Sequence, residues 1–267
     1  MSNTSIIALK QSLGLSASDT AIFPLSEGSF TIDKTKILVP FDEEKDDLKN
    51  RSAGSLLVEI QPFCLITHTD VLLIDTGLGY KKNGILQLHA NLRAIGIQPE
   101  QVTKVLMSHL HKDHAGGVSS SNPFGHAQLS FPNAAWFVQR REFDYAMDTG
   151  YPSYMTDDFD LLDGHPNVFW LDDDSGTIDN YITYQVTGAH SPFHQVFWIH
   201  GGTYPIFFGG DDAPQLSQMM NRFVAKYDFD GKKCMELRNE WWPKGKQEGW
   251  TFLFYHDTKN AVVNSGL

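Results

Sequence analysis

The chain reads as an α/β protein with a mixed sheet, and three observations carry that expectation. Short apolar runs rich in β-branched and aromatic residues recur between Gly, Pro, Asn and Asp breaks. Helical spacings fall between groups of these runs. The densest polar cluster follows directly on one apolar run, the usual place for a site at the end of a strand. At 267 residues and 41% hydrophobic, the chain can bury a large core. No repeat, low-complexity tract or internal linker divides it, so one domain over residues 1–267 is expected.

The elements follow in order. A short helix is expected near Ser5–Leu13, and Asp42 to Asp47 reads as a solvated turn. The runs Ser55–Ile60, Phe63–Thr67 and Val71–Asp75, broken by Gln61-Pro62 and Thr69-Asp70, predict consecutive antiparallel strands. The third ends in Asp75-Thr76-Gly77, an acid at a strand tip. Apolar residues at 85, 86, 88, 92 and 95 predict a helix over Ile85–Ile95, with Gly96 as its C-cap. Val102–Met107 predicts a buried strand. Further strands are expected at Ala135–Gln139, Val168–Leu171, Tyr181–Val186, Gln195–His200, Pro205–Gly209 and Thr251–Tyr255. Helices are expected at Arg140–Met147 and around Leu216–Leu237. Between Asp144 and His165 the periodicity is weak and tyrosines mix with acids, which reads either as a surface excursion or as a substrate lid.

Composition excludes several classes. The formal charge of −11, from 32 acidic and 21 basic residues, disfavours a nucleic-acid partner, because phosphate binding needs a basic field. Two cysteines, Cys64 and Cys234, are too few for a disulfide framework. No basic segment with a long apolar run opens the chain, and no eighteen-residue apolar stretch occurs, so the expectation is a soluble cytoplasmic protein without a membrane partner.

His109, His111, Asp113 and His114 lie within six residues of Ser108-His109-Leu110-His111-Lys112-Asp113-His114-Ala115-Gly116-Gly117. Each is costly to bury without a partner. A transition metal is such a partner, and imidazole with carboxylate suits zinc, iron or manganese. One ion would not use all four groups comfortably, so residues 109 and 111 facing one way and 113 and 114 another suggest two adjacent ions. Three later turns follow apolar runs and carry suitable groups: His190 in Thr187-Gly188-Ala189-His190, Asp211 and Asp212 after Gly209-Gly210, and His256 after Phe254-Tyr255.

This ordered set, from Asp75 to His256, resembles the metallo-β-lactamase-fold hydrolase superfamily. The resemblance implies a four-layer αββα sandwich with mixed sheets and two divalent ions, with zinc the default and iron or manganese as alternatives. It implies that His109, His111 and His190 hold one ion, that Asp113, His114 and His256 hold the other, and that Asp211 bridges them. Asp212 is the rival for the bridge. Asp75 matches the strand-end acid that orients a ligating imidazole, and His194 resembles a further position that supports the site. His68, His89, His126, His165 and His200 are expected to lie outside it.

Two ions sharing Asp211 could share a water and supply hydroxide at neutral pH, giving metal-assisted hydrolysis with Asp113 or Asp211 passing a proton to the leaving group. Within the superfamily, Asp211 argues against β-lactam hydrolysis, His111 against the redox di-iron members, and the acidic balance against RNA processing. Lys244, Lys246 and Lys259 do not match the glutathione contacts of glyoxalase-II-like thioesterases. Leu110, Ala115-Gly116 and the long stretch before His190 resemble the acyl-homoserine lactonase and organophosphate hydrolase branch. The lactonases carry a Tyr three residues after the bridging Asp, where this chain has Pro214. The expectation is hydrolysis of a small lactone or other carboxylic ester, with thioesters or phosphotriesters as alternatives. A fold relative that holds metal without turnover is the reading from another class. Phe143, Tyr145, Tyr154 and Phe193 are candidates for an apolar pocket wall, and aromatics in 144–165 or 241–250 could form a homodimer contact.

Overall fold

The computed structural model describes residues 3–16, 18–121 and 124–266. Two six-stranded sheets dominate the described residues. The first runs Ala21–Pro24, Phe63–Ile66, Val71–Ile74, Lys104–Leu106, Ala135–Gln139 and Val168–Leu171 in spatial order. Its first two pairings are antiparallel and its last three parallel. The second runs Ser175–Ile178, Ile182–Val186, Gln195–Ile199, Ile206–Phe208, Thr251–Leu253 and Val262–Asn264. It is antiparallel except where Ile206–Phe208 lies parallel to Thr251–Leu253.

Side chains alternate across a strand, so each apolar strand feeds two cores. Phe63, Leu65, Leu72, Ile74 and Leu106 point from the first sheet to a central core. There they meet Ile182, Phe197, Ile199, Phe208 and Leu253 of the second sheet. Their neighbours Cys64, Ile66, Val71, Leu73 and Val105 point the other way, onto Ile6, Leu9, Leu88, Leu92, Phe143 and Ala146 of the helices Asn3–Ser12, Gln87–Ala94 and Arg140–Thr149. On the far side, Val196, Phe207 and Phe252 pack with Trp241 of the helix Gly231–Glu248. The layers are therefore helix, sheet, sheet, helix. Burying each large apolar side chain stabilises by roughly 1.5–3 kcal/mol, so an inner sheet apolar on both faces holds this stack together.

Several elements depart from the sequence expectation. Leu56–Ile60 is a strand, but it pairs with Gly28–Ile32 in a separate three-stranded sheet. Phe63–Ile66 takes Ala21–Pro24 instead, because the chain turns at Gln61-Pro62, where the Pro62 carbonyl accepts from Leu25 N at 2.8 Å. The expected helix over Leu216–Leu237 is two helices, Leu216–Met220 and Gly231–Glu248, joined by a strap over residues 221–230. Asp230 caps the second helix by accepting from Lys233 N at 3.0 Å, and a side chain on Gly231 would strike the Ala225 carbonyl. The stretch 144–165 begins inside the helix Arg140–Thr149 and continues through two short 3-10 turns. Its Tyr154, Phe159 and Leu162 are buried in the helix-side core, while Tyr151 is 77% exposed. Among the described residues, no helix is long and apolar enough to cross a membrane.

Candidate metal centre

The central strand Lys104–Leu106 lies between two parallel neighbours, and its end delivers Ser108 to His111 to the rim of the sandwich. A one-turn helix, Lys112–Ala115, then presents Asp113 and His114. It sits against the turn after Asp75: Thr76 N donates to the His114 carbonyl at 2.7 Å, and Gly116 N to the Gly77 carbonyl at 2.8 Å. A Cβ on Gly116 would lie 2.4 Å from Leu78 backbone, and one on Gly117 2.2 Å from the Thr76 carbonyl oxygen. The Gly-Gly pair is what permits this approach.

His190, Asp211 and His256 arrive from the second sheet, following Ile182–Val186, Ile206–Phe208 and Thr251–Leu253. All seven residues predicted from the sequence to ligate metal converge. His109 Nε2 and His190 Nε2 each lie 3.0 Å from His111 Nδ1. Asp113, His114 and His256 form a second group in which one ligand atom from each lies within 4.8 Å of the others. The Asp211 carboxylate stands between the groups, with Oδ1 3.1 Å from His114 Nε2 and 3.0 Å from His256 Nε2, and Oδ2 3.3 Å from His190 Nε2. Asp212 faces away. Its Oδ1 accepts from His190 N at 2.8 Å, and its Oδ2 lies 3.1 Å from His194 Nδ1.

Most of these imidazoles are anchored through the nitrogen that faces outward. His114 Nδ1 bonds Asp75 at 2.8 Å, His190 Nδ1 bonds Asp228 at 2.8 Å, and His256 Nδ1 bonds the Glu59 carbonyl at 2.7 Å. Ser108 Oγ donates to Asp75 at 2.7 Å, which leaves it to accept from His109 Nδ1 at 3.0 Å. With the protons on Nδ1, the Nε2 lone pairs of His109 and His190 both aim at His111 Nδ1. That atom can donate to only one of them, so at least one pair of lone pairs meets at 3.0 Å. A cation between them removes the repulsion. The second group has the same need, because His114 Nε2 and Asp211 Oδ1 are buried without a hydrogen-bond partner. The donor set, imidazole and carboxylate with outer hydrogen bonds in place, fits divalent transition metals.

The electrostatics cut across the two groups. Burial and neighbouring imidazoles hold His109 and His111 well below the usual histidine range. Burial also opposes charge on His114, His190 and His256, but Asp211 outweighs it and raises all three, His190 to about 9. Asp211 is held well below the carboxylate range, its burial overcome by the imidazoles of His256, His114 and His190.

Supporting contacts lock the turns. His194 Nε2 accepts from Asp211 N at 3.1 Å, which places His194 beneath the carboxylate turn. A side chain on Gly210 would lie 2.5 Å from that nitrogen. Arg238 Nη1 donates to the Asp212 carbonyl at 2.6 Å. Tyr255 stacks on His114 with ring centroids 4.0 Å apart and donates to the Asp113 carbonyl at 2.7 Å. The buried Glu142 accepts from Ser191 Oγ at 2.8 Å and from Leu110 N and Tyr154 Oη at 3.3 Å, joining three segments around His111.

Sequence reasoning missed Asp228 and Glu142. Asp228 falls inside the stretch expected as a helix, Leu216–Leu237, and Glu142 reads as an ordinary first-turn acid. Of the candidate wall residues, Phe143 is core, packed on Phe159 and Trp170. Tyr154 lies beside His111 with ring centroids 4.8 Å apart, but it is buried. Tyr145 and Phe193 pair at 6.3 Å and are partly exposed. Pro214 accepts from His256 N at 3.0 Å and offers no hydroxyl.

Residues 58–241 match the family model described as the metallo-beta-lactamase superfamily, and the chain belongs to that superfamily. It is 32% identical over 120 residues to an N-acyl homoserine lactonase AttM from Azorhizobium caulinodans, a match covering 41% of this chain and 40% of that protein. It is 32% identical over 118 residues to an AttM lactonase from Agrobacterium fabrum, covering 40% of each. The chain thus spans about two fifths of the length of these curated relatives. A probable metal-dependent hydrolase from Staphylococcus aureus has a similar structure, with a TM-score of 0.75 at 21% identity and 94% of each chain covered. The dizinc quorum-quenching lactonase AidC gives 0.70 at 18% identity, covering 94% of this chain and 92% of that one. At these identities the structural likeness is one of fold.

Proposed function

We propose that this member of the metallo-beta-lactamase superfamily is a dinuclear metal-dependent hydrolase of carboxylic ester bonds, with lactones the preferred class. One observation carries the reading: the Asp211 carboxylate stands 3.0–3.3 Å from His114, His190 and His256, between two groups of donors. Similarity to proteins named as N-acyl homoserine lactonases supports the choice of lactones.

His109, His111 and His190 would hold one ion, Asp113, His114 and His256 the other, and Asp211 both. When bound, the ions supply an activated water and a Lewis acid for the substrate carbonyl. Asp75, Asp228 and the Glu59 carbonyl keep the imidazole protons on the outer nitrogens, so the inner nitrogens stay free to ligate. Asp113 and Asp211 are the carboxylates at the centre, and one of them carries a proton to the departing alkoxide. Zinc is the expected metal.

The test is a small panel (a lactone, a thioester, a phosphotriester and a phosphodiester) offered to protein reconstituted with zinc, with elemental analysis alongside. Lactone turnover with about two ions per chain supports the reading. Turnover of the phosphodiester alone, or metal content unchanged by His109→Ala, refutes it.

A further inference from the structure

An imidazole that ligates a metal is ordinarily aimed by a hydrogen bond to its outer nitrogen. His109, His114, His190 and His256 follow that rule, each anchored through Nδ1 with Nε2 turned inward. His111 is reversed. Its Nδ1 faces the Nε2 atoms of His109 and His190 at 3.0 Å, and its outer Nε2 forms no hydrogen bond among the described residues. Nδ1 also adjoins the ring carbon that joins the side chain, so its position follows the backbone at Leu110 and His111 closely. Something other than an outer hydrogen bond has to set this ring.

Glu142 is placed to do so. It is 1% exposed, and a carboxyl buried that deeply needs hydrogen-bond partners. Its Oε1 accepts at 3.3 Å from Leu110 N, between His109 and His111, and at 3.3 Å from Tyr154 Oη. The Tyr154 ring lies against His111, with centroids 4.8 Å apart and planes 48° apart. Its Oε2 accepts at 2.8 Å from Ser191 Oγ, the residue after His190. An acid that only fastened its own helix would find partners on that helix. These three lie 32, 12 and 49 residues away, and each adjoins or touches a ligand of the imidazole group.

We propose that Glu142 is a positioning residue: through Leu110 N and the Tyr154 ring it holds His111 in its ligating pose, in place of a partner on the outer nitrogen. This inference rests on the two-ion reading of the same site. Glu142 belongs to neither donor group, so it acts through these neighbours and not as a ligand.

Protein loaded with cadmium should give one cadmium NMR resonance per ion. The resonance moved by Asp228→Asn belongs to the ion held by His109, His111 and His190. Glu142→Leu should shift or broaden that resonance alone, and weaken that zinc ion by about 10–100-fold against a chromophoric chelator. Glu142→Gln, which keeps an acceptor for Leu110 and Tyr154, should restore most of both. Tyr154→Phe keeps the ring and removes one arm, so it should move the same resonance by less, and it decides alone if Glu142→Leu does not fold. Phe143→Leu, a core change one residue along the helix, should lower Tm and move neither resonance. Resonances unmoved in Glu142→Leu and Tyr154→Phe, no rescue by Gln, or the same resonance moved by Phe143→Leu overturns the inference and leaves the two-ion reading standing. A parent protein with fewer than two cadmium resonances overturns both.

Discussion

The two donor groups of the centre are built from opposite materials. His109, His111 and His190 are imidazoles alone, crowded so that inner nitrogens meet at 3.0 Å, and two of the three are held well below the usual histidine range. Asp113, His114 and His256 include a carboxylate and lie against Asp211, which raises both of their imidazoles. The first group has little negative charge of its own and depends on a cation to relieve repulsion. The second carries its own counter-charge, yet His114 Nε2 and Asp211 Oδ1 are left there without a hydrogen-bond partner. The lesson is that a fold can place two unlike groups of donors on either side of a single carboxylate.

The sharpest way to break the comparison is to remove that carboxylate. Asp211→Asn should lower bound zinc from about two ions to one or fewer. It should also reduce lactone turnover by more than the roughly 10–100-fold expected for an orienting residue, as read by elemental analysis and steady-state kinetics.

The next effect separates the groups. Asp228→Asn should weaken chiefly zinc binding by the imidazole group, and Asp75→Asn, which also reaches His109 through Ser108, chiefly that by the other, each by about 10–100-fold in competition with a chromophoric chelator. Equal weakening of both ions by either variant would dissolve the distinction. Stripping the protein with a chelator should lower Tm, because ions that bind only the folded state stabilise it by mass action. Restoring a single equivalent of zinc should recover most of that loss if the imidazole group is the strained one.

The smallest effect lies beside the centre. Glu27 is buried, accepts from Leu78 N at 2.5 Å and leaves Oε1 unpartnered, and burial pushes its carboxyl up from 4.5 to about 7. Folded protein therefore binds this proton more tightly than unfolded protein does. Its stability is full below about pH 4.5 and is lost as pH rises through about 7, by about 3 kcal/mol at most. Glu27→Gln should raise Tm at pH 8 and leave it nearly unchanged at pH 4.5, without altering zinc content.

Much of the centre was legible because its chemistry is local. His109 to His114 are adjacent in the chain, and polar groups in a six-residue cluster have few uses other than a metal. His190, Asp211 and His256 were legible for a related reason, since each stands just beyond an apolar run that ends where the sheet meets solvent. Asp228 was not. Nothing in Tyr227-Asp228-Phe229-Asp230 separates it from the exposed turn of a helix until the strap is folded onto His190. The pairing of Leu56–Ile60 was hidden in the same way, because a strand's partner depends on which edge is free.

By itself the sequence determined the α/β class, the strand ends and the seven side chains that converge, because periodicity and clustered polar groups are properties of the chain. The tertiary structure decided that Asp212 turns away onto His190 N and His194, and which neighbour anchors each imidazole. Those outcomes turn on differences of a few ångströms between residues far apart in sequence, and only packing sets distances of that size.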